Sequence, residues 1–164
     1  MAALKPGTKA PAVELPLLGG RTFSLGDSLS KGPVGLAFFK VSCPVCQYAF
    51  PFFNRMADLI QGKRLTFVGI SQDDGPSTAE FAKSFGVHFP LALDDVLRYP
   101  VSNAYGLTNV PTLFIIDEDG KISHTIISWS RQDMESLYAE FRDSQNATRK
   151  LFQHGENVAE FKAG

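Results

Sequence analysis

The residues best placed to do covalent chemistry are Cys43 and Cys46, the only cysteines among 164 residues, held in the run Cys43-Pro44-Val45-Cys46. Two thiols at this spacing can exchange disulfides, hold part of a metal site, or staple the chain locally. A structural zinc needs about four ligands. Here one cysteine pair is accompanied only by scattered His88, His124 and His154, so no metal and no other cofactor is expected. A staple across so short a loop removes little unfolded-state entropy. Redox use is therefore favoured. Pro44 suits the first helical position, where its fixed φ is helical and its missing N–H would be unpaired anyway. Cys43 then becomes the N-cap, with the amides of Val45 and Cys46 and the positive helix end facing its sulfur. That setting favours a thiolate. Cys43 is the expected attacking sulfur, and Cys46, one turn inside and more buried, the resolving one.

The elements that must position this pair follow from the apolar pattern. Pro33 to Lys40 (PVGLAFFK) is a continuous apolar run bounded by breakers, as expected of a central strand covered on both faces. Gln47 to Ile60 continues the cysteine turn as an apolar-rich helix, with Gln61-Gly62-Lys63 as its stop signal. Leu65 to Ser71 reads as a second buried strand. Ser77-Thr78-Ala79-Glu80 is a capping-box pattern that predicts a helix to Phe85, stopped at Gly86. Phe89 to Leu93 is a short apolar segment, and Asp95 to Tyr105 a second short helix. Upstream, Ala12–Leu18 and Arg21–Phe23 flank Gly19-Gly20 as an N-terminal β-hairpin, and Ser24 to Gly32 is a polar connection that can hold a short helical turn. Downstream, Thr112–Ile116 and Lys121–Ile127 flank Asp117-Glu118-Asp119-Gly120 as another hairpin. Ser130-Arg131-Gln132-Asp133 opens a helix to about Arg142. The alternation predicts βαβ units on a mostly parallel sheet, completed by antiparallel strands.

The length suits one domain over residues 1–164, with residues 143–164 as an irregular C-terminal extension, either helical or a loose tail. Net charge is −1 with both signs interspersed, which argues against a nucleic-acid partner. No stretch is long enough to span a bilayer. The N-terminus has no apolar leader, so a cytoplasmic chain is expected, the alternative being an exported one whose signal peptide was removed.

Further matches join CPVC. The strand AFFK leads into it, Pro51 lies eight residues after Cys43 inside the helix, and Val110-Pro111-Thr112 precedes the strand LFIID. With GTKAPAVELPLLGGRTFSL at the front, the chain resembles the redoxin (AhpC/TSA-like) branch of the thioredoxin superfamily, and within it the TlpA/ResA-type thiol–disulfide oxidoreductases. The likeness covers about Pro6 to Phe141. It implies an α/β thioredoxin-like fold: a central mixed sheet flanked by helices, an N-terminal hairpin, and an insertion between the central βαβ unit and the cis-proline strand. It also implies that Val110 and a cis Pro111 form the docking surface, where the Val110 backbone pairs with an extended substrate segment.

Departures from the family pattern narrow the chemistry. Peroxiredoxins carry Pro and Thr seven and three positions before the peroxidatic cysteine, and Arg where Pro111 stands; here the first two positions are Leu36 and Lys40. Ala37, Ser42 and Ala49 stand where related sites keep an acid, a tryptophan and a glutamate. The proton acceptor for Cys46 is then water or a carboxylate such as Asp73 or Asp74. Lys40 is either a snorkelling strand-end lysine or a cation that favours the Cys43 thiolate; Lys40 and Pro44 are the candidates for tuning that thiol. Phe38, Phe39, Phe50, Phe52 and Phe53 are expected in the core. Trp129 and Tyr48 either rim the site or pack. The function expected is exchange of a Cys43–Cys46 dithiol/disulfide with protein or small-molecule disulfides, supplied by an unspecified upstream thiol reductant or oxidant. The alternatives are a thiol peroxidase with Cys43 peroxidatic and Cys46 resolving, and a non-enzymatic redox-sensing module.

Overall fold

The computed structural model describes residues 2–60, 64–143 and 148–164. A small hairpin of β1 (Glu14–Pro16) and β2 (Thr22–Ser24) leads into a short helix α1 (Leu25–Leu29). The body alternates β3 (Val34–Phe39), α2 (Pro44–Leu59), β4 (Thr66–Ser71), α3 (Gly75–Phe85), β5 (Leu91–Leu93) and α4 (Pro100–Ala104). It closes with β6 (Thr112–Ile116), β7 (Ile122–Ile127), β8 (Trp129–Ser130), α5 (Arg131–Phe141) and β9 (Phe161–Lys162).

Five strands form the main sheet in the order β5-β4-β3-β6-β7. β3, β4 and β5 run parallel, and β6 and β7 are antiparallel additions. The run read as a central strand is central, and every residue of β3 is buried. Its side chains alternate between two apolar layers. Ala37 and Phe39 face the layer built with Phe50, Phe53, Met56 and Phe81, whereas Leu36 and Phe38 face the layer of Val13, Phe23, Tyr105 and Phe114. Cys46 belongs to the first layer, so the strand that presents the cysteine loop also roofs the buried thiol. Among the described residues, no helix is long and apolar enough to cross a membrane.

The structure departs from expectation in three places. Helix α3 begins at Gly75, not at Ser77: the Asp74 carboxylate is the cap, accepting from the Ser77 amide at 2.8 Å, with Pro76 in the first turn. Thr78, which a box starting at Ser77 would place in the first turn, is instead buried with its hydroxyl 2.6 Å from that of Ser71. The helix expected over Asp95–Tyr105 contracts to Pro100–Ala104, because Asp95 Oδ1 folds a turn by accepting from the amides of Leu97 and Arg98 at 2.7 and 3.2 Å. Of the two readings open for Trp129, packing is the one realised: it lies fully inside the core, and its indole N–H donates to the Ala159 carbonyl at 2.7 Å. Finally, residues 148–164 form neither helix nor loose tail. Leu151, Phe152 and Val158 are buried, and β9 pairs antiparallel with β8. The expected stop at residues 61–63 lies outside the described residues.

Candidate functional site

The cysteine loop is fixed from three sides. At the end of β3 the Cys43 amide donates to the Lys40 carbonyl at 3.2 Å, tightening the chain before α2. The Val41 amide donates to Asp73 Oδ2 at 2.8 Å, which ties the loop to the end of the neighbouring strand β4. Gln47 reaches back from the first helical turn, its Nε2 donating to the Val41 carbonyl at 2.9 Å. The backbone then enters α2 with Cys43 as N-cap and Pro44 in the first turn, as the sequence required.

The two sulfurs have different surroundings. Cys43 is half-buried, and its Sγ accepts from the Cys46 amide at 3.4 Å. Its S–H points across to the Val110 carbonyl, also at 3.4 Å. Cys46 is completely buried in the same apolar cluster as Ala37 and Ala49. That burial pushes the Cys46 thiol well above its ordinary range; neighbouring Cys43 and the Asp73 charge add to the rise, while hydrogen bonding to the Lys40 backbone opposes it. The alanines standing where related sites keep acids thus line a dry environment that holds Cys46 protonated at neutral pH.

Opposite the cysteines, the Val110-Pro111 peptide bond is cis. The turn is held by the Thr112 hydroxyl, which donates to the Asn109 carbonyl at 2.8 Å, and by the Ser128 amide, which donates to the Pro111 carbonyl at 2.8 Å. A cleft of about 200 Å³ lies beside it, lined by Lys40, Gln72, Leu107, Thr108, Asn109 and Val110. Lys40 directs its ammonium over the Tyr99 ring, 5.8 Å from the centroid. The alternation of β3 explains this: following Phe39, Lys40 shares the face of Phe38, opposite the layer that holds Cys46. Of the two candidate carboxylates, Asp74 is committed to capping α3, and its bond from the Ser77 amide keeps its carboxyl below the usual range. Asp73 is committed to Val41. Gln47 and Asn109 escaped the sequence reading, since amide side chains in a helical turn and a loop carry no chemical signature of their own.

A strand–turn–helix with a two-cysteine N-terminus, faced by a cis-proline loop from the adjacent antiparallel strand, defines a thioredoxin-fold redox protein. A model described as the AhpC/TSA family matches residues 6–125, and the chain belongs to that family. It is similar to the thiol-disulfide oxidoreductase ResA of Geobacillus thermodenitrificans, with 33% identity over 125 residues, 76% of this chain and 70% of the relative. Among solved structures, it is similar to a thioredoxin family thiol:disulfide interchange protein of Chlorobium tepidum, at TM-score 0.69 and 25% identity over 85% of this chain and 99% of that one. Peroxidoxin BcpB of Mycobacterium tuberculosis is also similar, at TM-score 0.71 and 28% identity over 84% and 96% of the two chains.

Proposed function

We infer that the chain is a thiol–disulfide oxidoreductase in which Cys43 attacks and Cys46 resolves. One observation carries the assignment of roles: Cys43 is half-buried at a helix N-cap with its Sγ facing the carbonyl before a cis proline, while Cys46 is completely buried. The Cys43 thiolate attacks one sulfur of a substrate disulfide. A Cys43–substrate disulfide forms, and the other substrate sulfur leaves as thiolate and takes a proton. Cys46 then gives up its proton and attacks Cys43 Sγ, releasing the second substrate thiol. The products are a Cys43–Cys46 disulfide and a substrate reduced by two electrons; an upstream dithiol reverses the change. Val110 offers its carbonyl to an extended substrate segment, and Pro111 keeps that carbonyl turned toward Cys43. Pro44 pre-sets the first turn, and Lys40 lends positive charge to the cleft mouth.

Dithiothreitol-coupled insulin reduction tests this reading: wild-type protein should accelerate precipitation and Cys43→Ser should not, and equal rates would overturn it. The likeness to a peroxidoxin favours a second reading, a thiol peroxidase. The absence of a threonine hydroxyl at Lys40 and of a guanidinium at Pro111, with Leu36 in place of the family proline, weighs against it. Hydrogen peroxide consumption coupled to thioredoxin, at a rate above that of disulfide reduction, would favour the peroxidase. A redox-sensing module would show reversible Cys43–Cys46 oxidation without turnover in either assay. The substrates proposed are protein and small-molecule disulfides. The compartment proposed is the cytoplasm, and recovery of the chain outside the inner membrane on fractionation would place it with exported proteins instead.

A further inference from the structure

The end of the described chain lies against the proposed docking surface. Residues 148–158 are anchored: Leu151, Phe152 and Val158 are buried, and Arg55 on α2 holds Glu156 through two bonds of 2.7 and 2.9 Å. At Ala159 the chain turns along the outer edge of β8. The Trp129 indole donates to its carbonyl, and its amide donates to the Tyr48 hydroxyl at 2.9 Å. Glu160 is still held, its carbonyl accepting from the Arg131 amide at 3.0 Å, and beyond it the ladder is only two residues long. Lys162 pairs with Trp129 and Phe161 with Ser130, yet Phe161 remains 62% exposed and β9 buries neither of its side chains. The Lys162 ammonium rests over the Tyr48 ring at 4.8 Å.

Gly164 then reaches the cis-proline loop. Its amide donates to Ser128 Oγ at 3.0 Å, and its carbonyl accepts from Asn109 Nδ2 at 2.9 Å. The approach is so close that a Cβ on Gly164 would collide with the Val110 carbonyl oxygen. That oxygen is the one the Cys43 thiol faces, and on the reading above it is the acceptor for an extended substrate.

We propose that residues 161–164 are an intramolecular strap lying where a protein substrate docks, so that this chain discriminates against protein disulfides in favour of small ones unless the strap peels from β8. The proposal rests on the thiol–disulfide reading of Cys43. Its physical basis is the contrast between a firmly buried anchor and a short, exposed two-residue ladder, which local fraying opens at low cost. A small disulfide needs only the half-exposed Cys43 sulfur; an extended segment also needs Val110. With the strap closed most of the time, the apparent affinity for a protein disulfide falls by the open fraction.

Gly164→Ala in the full chain tests this directly, since its methyl would meet the Val110 carbonyl and the Pro111 ring while the strap is closed. Lys162→Ala, which removes the ammonium resting over the Tyr48 ring and so loosens the hold on the amide at position 164, is the second variant. Both should speed hydrogen exchange at that amide and raise kcat/KM for insulin by about three- to tenfold, while leaving kcat/KM for 5,5′-dithiobis(2-nitrobenzoate) unchanged. Faster exchange with unchanged insulin kinetics would overturn the proposal, as would unchanged exchange or an equal gain on both substrates. If wild-type protein reduces neither substrate through Cys43, the oxidoreductase reading has failed, and with it the premise of the strap.

Discussion

Replacing Asp73 separates positioning of the cysteine loop from proton transfer. Its carboxylate accepts from the Val41 amide at 2.8 Å, two residues before Cys43, and joins segments 32 positions apart. A hydrogen bond to a charged acceptor contributes roughly 1.5–3 kcal/mol, and the half-buried position of Asp73 argues for the lower end. Asp73→Ala should therefore destabilise the protein by about 1–1.5 kcal/mol in urea unfolding. The same loss, felt as misplacement of Cys43, should lower kcat/KM for a small disulfide by about five- to twelvefold, since 1.4 kcal/mol corresponds to a factor of ten. Asp73→Asn keeps an acceptor oxygen for Val41 and should recover most of both losses. It also removes the negative charge that helps hold the Cys46 thiol up. Cys46 should then ionise at lower pH, and the pH profile of mixed-disulfide release should move acidward. Wild-type stability and rate in Asp73→Ala would refute the positioning role. Slower release in Asp73→Asn would show instead that the carboxylate takes the Cys46 proton.

Other perturbations report on separate parts of the structure. Iodoacetamide at neutral pH should alkylate Cys43 alone in the reduced protein, read by mass spectrometry, because Cys46 is buried and held protonated; rapid double alkylation would contradict this. Asp94→Ala should cost about 3–4 kcal/mol in urea unfolding, because a carboxylate only 2% exposed accepts from the amides of Asp95, Val101 and Ser102 and from the Ser102 hydroxyl; a loss below about 1 kcal/mol would contradict it. The paired bonds from Arg55 lower the Glu156 carboxyl from 4.5 to about 2, helped by the Gln153 amide. A depressed carboxyl stabilises the fold above its unfolded pKa and loses that contribution as pH falls toward its folded value. Protection factors of the amides in residues 151–158, corrected for intrinsic exchange, should therefore fall between about pH 4.5 and 2, and Arg55→Ala should flatten that dependence. The pair is partly exposed, so its contribution should stay near 1 kcal/mol or below.

The parts legible in the sequence were those where local pattern and tertiary demand coincide. PVGLAFFK is apolar on both faces because β3 is covered on both faces, and CPVC supplies its own helix start. Val110-Pro111-Thr112 carried the opposing loop through family likeness. Other features depend on contacts distant in the chain. Helix α3 starts at Gly75 because Asp74, not Ser77, supplies the cap, while the bond that buries Thr78 against Ser71 is a distant contact that no local pattern records. Lys40 could not be oriented until the strand's facing was fixed. A two-residue strand such as β9 has no periodicity to read, and the polar composition after Asp143 hid three buried apolar anchors. Asp94 looked like any surface acid, its partners lying seven and eight positions ahead.

The division of labour between the two cysteines is tested most directly by trapping the intermediate. Cys46→Ser, incubated with an oxidised protein substrate, should accumulate a mixed disulfide through Cys43 that survives acid quench and disappears on reduction, whereas Cys43→Ser should form none. A mixed disulfide held by Cys46 in Cys43→Ser, or none in Cys46→Ser despite wild-type turnover, would contradict the account.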